Sequence, residues 1–154
     1  MTIGYDAKHI VCDNTGPGSY GRTLINDIAE AATPGMTFNL YTPERGDAGL
    51  RRQITPRQNV KFAYPEAGIN PIAKALWRTR GIVADLVRDG VKLYHGLAGE
   101  LPVGIREAGI KTVVTIHDLI FMRHPEWYSW VERKFNEWKF MRPCREADRI
   151  IAIS

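Results

Sequence analysis

The sequence is poor in cysteine and has no long apolar run. Its two cysteines, Cys12 and Cys144, show no metal-ligand spacing, so the chain encodes neither a disulfide framework nor a metal site. No apolar stretch approaches the ~20 residues of a membrane span. The N-terminal MTIGYDAKHIVCD carries charges where a secretion signal needs an apolar core. A cytoplasmic protein is therefore expected. There is no long Lys/Arg block, which argues against nucleic acid as a partner. A Walker loop, a nucleophile elbow, internal repeats and low-complexity segments are missing as well.

What remains is an ordinary globular composition. The chain has 154 residues, 44% hydrophobic and 25% charged, which fits one domain and excludes disordered and fibrous classes. A net charge of +4 permits an anionic partner without selecting one.

Strand and helix patterns alternate along the whole length. Strands are expected at Thr2–Ala7, Met36–Tyr41, Val60–Tyr64, Val91–Tyr94, around Val113–Ile116 and at Asp148–Ser154. A helix starting at Ser19 would place Tyr20, Leu24, Ile28 and Ala31 on one stripe. Asn70-Pro71 starts another, interrupted near Gly81 and closed by Gly90. Pro102–Ala108 reads as a short helix and Ser129–Ala147 as a long one, with Val131, Phe135, Trp138 and Arg142 in register. Lys8–Pro17 and Pro43–Arg57 read as loops. This alternation predicts an α/β fold with a parallel sheet and helices on both faces. The chain closes on an apolar strand, from which a second half is expected downstream.

In such sheets ligands bind beyond the carboxyl ends of the strands. Three loops qualify. In NTGPGSYGR, Gly16, Gly18 and Gly21 match the spacing of a dinucleotide fingerprint, with Glu44 beyond the second strand. That spacing supports an NAD(P)-dependent oxidoreductase as one reading. The context is wrong for it, because residues 8–15 separate the motif from its strand and Pro17 removes an amide donor. Glycines before a helix N-terminus also let backbone amides approach a phosphate or sugar hydroxyls. In LYHGLAGELP, His95 and Glu100 flank two glycines on a connector able to bind a sugar. In TVVTIHDLIFM, His117 and Asp118 break an apolar run at the end of a buried strand. There they either contact a substrate or satisfy themselves locally, Asp118 capping a turn and His117 bonding to backbone. Lys74, Arg78 and Arg80, beside Leu76 and Trp77, form a basic face. It either rests on an anionic membrane, as in a non-catalytic membrane- or partner-binding module, or is solvated around a core stripe. Trp127, Tyr128 and Trp130 read as helix-start packing.

Four segments taken together resemble one family, the retaining GT-B glycosyltransferases of family 4 (glycosyl transferase group 1). They are TGPGSYGRTL at 15–24, LYHGLAGELP at 93–102, VVTIHDLIFMRHPEWY at 113–128 and EADRIIAIS at 146–154. The resemblance implies a Rossmann-like sheet forming one half of a two-domain GT-B architecture. Residues 1–154 would be the N-terminal, acceptor-side domain, and the C-terminal donor-binding domain would be absent from this chain. It implies retaining transfer of a hexose from a nucleotide-sugar to a glycan or glycolipid acceptor, without metal or cofactor. The isolated domain would be inactive, and the protein would be cytoplasmic, with peripheral contact at the inner face of the membrane. Carried over by position, Gly16 and Gly18 would sit against the donor diphosphate or acceptor. His117 would face the transferred sugar, with Asp118 supporting its strand end, and His95 and Glu100 would lie on the acceptor-side wall.

Overall fold

A computed structural model describes residues 1–65 and 70–153, apart from the side chains of Phe121 and Asn136. Ser154, the last residue of the expected sixth strand, lies outside them.

Six strands form one sheet: β1 Thr2–Asp6, β2 Thr37–Tyr41, β3 Val60–Ala63, β4 Val91–Gly96, β5 Lys111–Ile116 and β6 Arg149–Ala152. Every neighbouring pair is parallel, and the order is β3-β2-β1-β4-β5-β6. The chain winds outward from β1 to β3, returns beside β1 as β4, and winds the other way. The loops leaving β1 and β4 therefore diverge, opening a crevice at their carboxyl ends. The expected α/β architecture, a Rossmann-like parallel sheet covered by helices, is the one observed.

Strand alternation explains the two-sided core. Ile3, Tyr5, Phe38 and Leu40 point to one face and are buried with Ile10, Val11, Ile25 and Ile54. Those partners come from α1 Lys8–Cys12, α2 Gly16–Glu30 and the segment following α3 Ala48–Arg52. Tyr41, Tyr94, Val114 and Ile116 point to the other face and meet Ile82 and Leu86 of α5 Ile82–Arg88. α4 Pro71–Leu76 precedes α5, and a π-helical turn, Trp77–Gly81, joins them. Asn70 caps α4 by accepting from the Ala73 amide at 2.9 Å, as the Asn-Pro signal predicts. α6 Ile120–Arg123 and α7 Trp130–Glu146 follow β5. Ser129 and Glu132 form a capping box at the start of α7.

Several local expectations are corrected. The 8–17 segment holds α1, and the 43–57 segment holds α3, whose cap Asp47 accepts from the Leu50 amide at 2.8 Å. α2 begins at Gly16, not after Ser19; Gly18, Gly21, Arg22, Ile25 and Ala29 are buried, and the expected Tyr20, Leu24 and Ile28 pack half-buried against the same core, while Ala31 is exposed. The reason is close helix contact. A Cβ on Gly18 would overlap the Asp13 carbonyl oxygen, and one on Gly21 would lie 2.9 Å from Ile10 Cγ1. The buried Arg22 guanidinium completes this junction, donating to the Ile10 and Asp13 carbonyls at 2.9 Å each. Along α7 the stripe Val131, Phe135 and Trp138 is exposed rather than packed, as are Trp127 and Trp130.

The glycine junction gives a stability prediction. Gly18→Ala forces α1 and α2 apart and should cost about 1–3 kcal/mol, the usual penalty of overpacking. Gly16→Ala meets nothing within 4 Å and should change stability by less than about 1 kcal/mol. Urea denaturation of the two variants checks the contrast; equal effects would contradict it.

Candidate functional site

Two groups of polar side chains occupy the carboxyl edge of the sheet, one on each face. The first starts from Asp6, the last residue of β1, which is 4% exposed. A carboxylate there needs a counter-charge. Arg78 of the π-helical turn supplies it, with Nη2 donating to Asp6 Oδ2 at 2.6 Å. The same guanidinium reaches Glu100 Oε2 at 2.5 Å through Nη1, and Lys139 of α7 reaches Glu100 Oε1 at 2.7 Å. The result is a relay of alternating charge, Asp6–Arg78–Glu100–Lys139. Burial pushes the Asp6 carboxyl up, but the Arg78 guanidinium outweighs it and holds the group below the ordinary carboxylate range. Burial likewise lowers Arg78, and its two carboxylate partners more than reverse that. The relay floors a cavity of about 300 Å³, which Lys8 and Trp138 also line.

The second group joins α2 to β4 and β5. The His117 ring stands edge-on to Tyr20 with centroids 5.3 Å apart. Its Nε2 donates to the Leu97 carbonyl at 2.7 Å, which fixes the proton on Nε2 in the neutral ring and makes Nδ1 the acceptor nitrogen. Tyr20 lies one helical turn after Gly16, so this contact ties the N-terminal half of α2 to the end of β5. Beneath it, the Tyr20 hydroxyl lies 3.4 Å from Thr115 Oγ1, which is 2.8 Å from His95 Nε2.

The residues singled out in the sequence divide accordingly. Gly16 opens the helix whose Tyr20 meets His117 at the end of β5. Gly18 does not join them, because its open side is filled by α1. At Gly18 the missing Cβ serves helix packing. The expectation for His95 is corrected. It lies inside β4, 5% exposed, with its ring 5.7 Å from that of Tyr5, and does not line the edge. Glu100 belongs to the ion relay on the other face. Asp118 is exposed, and its Oδ1 accepts from the Ile120 amide at 3.1 Å, the turn-capping alternative weighed above. Of the basic face, Arg80 is exposed. Arg78 points inward to the relay, and Lys74 pairs with Glu44 at 3.6 Å. Glu44 is thereby tied to α4, and Gly18 and Gly21 pack against α1.

Sequence reasoning missed Asp6 and placed Arg78 on a basic face rather than at the sheet edge. Asp6 closes an apolar strand as His117 and Asp118 do, and that shared signal could have found it. Among the described residues, no group of three His, Cys, Asp or Glu side chains is placed to hold a metal ion, and no helix is long and apolar enough to cross a membrane.

His95 carries a pH prediction. Burial pushes its imidazole from 6.5 down to about 4. The folded state holds it neutral, so its contribution is complete above pH 6.5 and is lost as pH falls toward 4. Between pH 7 and 5 the loss should be about 2 kcal/mol. His95→Gln should remove most of that slope in denaturation curves taken at the two pH values. An unchanged slope would mean that His95 is not held neutral.

The chain matches no model of a known protein family, and no curated protein is detectably similar to it.

Proposed function

We propose that this chain is the acceptor-side domain of a retaining glycosyltransferase of the two-domain GT-B type. It would move a hexose from a nucleotide-sugar to a glycan or glycolipid acceptor, in the cytoplasm and at the membrane's inner face where the acceptor is a lipid. The observation that carries this reading is the Tyr20–His117 contact. It packs Tyr20, one turn into a 15-residue helix, against an imidazole of defined tautomer at the sheet's carboxyl edge. The four sequence segments named above support it as well: they contribute the α2 turn, the β4–Glu100 segment, His117 and the β6 edge.

Each group has work to do in that reaction. The positive end of α2 favours a departing diphosphate. His117 faces the transferred sugar and stabilises the charge that develops as the glycosidic bond to the leaving group breaks. Amides and basic side chains neutralise the leaving group. The donor is held mainly by a second domain, and attack comes from the face the diphosphate leaves.

The test is a transfer assay with the natural polypeptide that carries these residues and its donor-binding half. UDP- and GDP-hexoses are supplied together with glycan and lipid acceptors, and the product anomer is read by NMR. Nucleotide release with retained configuration is expected. A polypeptide that releases no nucleotide from any of these donors would contradict the reading.

A further inference from the structure

We propose that the cavity between α7 and the π-helical turn binds a single neutral pyranose ring. The binding itself is independent of the reaction above. That the ring is the acceptor sugar rests on the glycosyltransferase reading.

The wall of the cavity is aromatic. Phe135 and Trp138 both line it, yet remain 58% and 60% exposed. Their rings are therefore open to a ligand and are not committed to the core. Trp138 is also held in place. The Arg142 guanidinium lies 5.9 Å from its ring centroid, and Arg142 is fixed by Glu146 at 2.7 Å and the Leu101 carbonyl at 2.5 Å. An indole positioned beforehand loses little freedom when a flat ligand settles on it.

The floor is polar and alternates in sign. From Asp6 through Arg78 and Glu100 to Lys139, acceptors and donors succeed one another at 2.5–2.7 Å. Vicinal hydroxyls, each of which donates and accepts, match that order. A pyranose joins both features, with a C–H-lined face for the indole and a rim of hydroxyls for the floor. Two carboxylates and two cations cancel within the relay; of the two further cations on the lining, Arg142 is held by Glu146 and Lys8 lies outside the relay. The volume of about 300 Å³ sits at the small end of ligand pockets, which run roughly 300–1,000 Å³, and suits one ring rather than a nucleotide-sugar.

The test reads binding directly on the ¹⁵N-labelled chain, with no donor and no turnover, so its outcome does not depend on transfer activity. Methyl α-D-glucopyranoside and methyl α-D-mannopyranoside are titrated to tens of millimolar, with glycerol and inorganic phosphate as parallel arms. At least one glycoside should produce saturable shifts at the Trp138 indole N–H and the Arg78 and Glu100 amides. Trp138→Ala, a change at an exposed position, should abolish the shifts while the rest of the spectrum is retained. Glu100→Gln should weaken binding about tenfold, the loss of one charged hydrogen bond. The proposal is overturned if neither glycoside gives saturable shifts there, if glycerol gives the same shifts, if phosphate alone moves these residues, or if Trp138→Ala binds as the wild type does.

Discussion

Arg78→Ala is expected to lower the unfolding free energy by about 3–5 kcal/mol, the cost of stripping one partner from a buried ion pair. Asp6 and Arg78 are close to fully enclosed, with side chains 5% and 14% exposed. With arginine present, the Asp6 carboxyl lies below its ordinary range. Its contribution is therefore present above the ordinary carboxylate pKa and is lost as pH falls through the lowered value. Without arginine, burial, the largest single influence, is opposed only by the Lys8 amide and His9, and burial raises a carboxyl. The sign then reverses: the variant loses stability as pH rises through the raised value. Arg78→Ala should thus be most damaging near pH 7 and milder in acid. The double variant Asp6→Leu/Arg78→Met, apolar at both positions, should recover most of the loss. Urea denaturation of wild type, single and double variants at two pH values gives the coupling. A cost for Arg78→Ala below about 1 kcal/mol would place the pair with weak surface bridges.

The second large effect concerns rate. His117→Ala should cut transfer by about 10²–10³-fold, the usual loss when a group that stabilises developing charge is removed. Its effect on stability should be small, because the ring is half-buried and its hydrogen bond to the Leu97 carbonyl is worth about 1 kcal/mol. Asp118→Ala provides the contrast. That carboxylate is exposed and engaged with the Ile120 amide, so its removal should cost little in rate. Equal losses from both substitutions would indicate that the strand end as a whole is disturbed.

Much of this architecture was legible in the sequence, because β-branched runs and glycine stops mark buried parallel strands. All six strands fall where the pattern puts them, within a residue or two. The short helices α1 and α3 were not legible, since each has only five residues and too few apolar positions to show a period. The helix expected at Pro102–Ala108 is a run of turns, interrupted by Gly104 at φ +88° and ended by Gly109 at φ +72°. For His95 the error was one of boundary. Ending β4 at Tyr94 puts the imidazole on a loop, whereas the strand continues to Gly96 and buries it. The Asp6–Arg78 pair spans 72 residues and arises only when β1 and the π-helical turn meet in space, so no local pattern contains it. Glycine was the other misleading signal. Gly18 and Gly21 resemble a phosphate loop in spacing but act as contact points between two helices.

The most direct measurement is the single-turnover rate of hexose transfer by the natural polypeptide, wild type beside His117→Ala, with folding of both verified by denaturation. The account predicts retention of anomeric configuration in the wild type and a rate lower by about 10²–10³-fold in a variant of near-equal stability. A His117→Ala variant that transfers at the wild-type rate would contradict it and leave His117 in a structural role, bonded to the Leu97 carbonyl and packed on Tyr20.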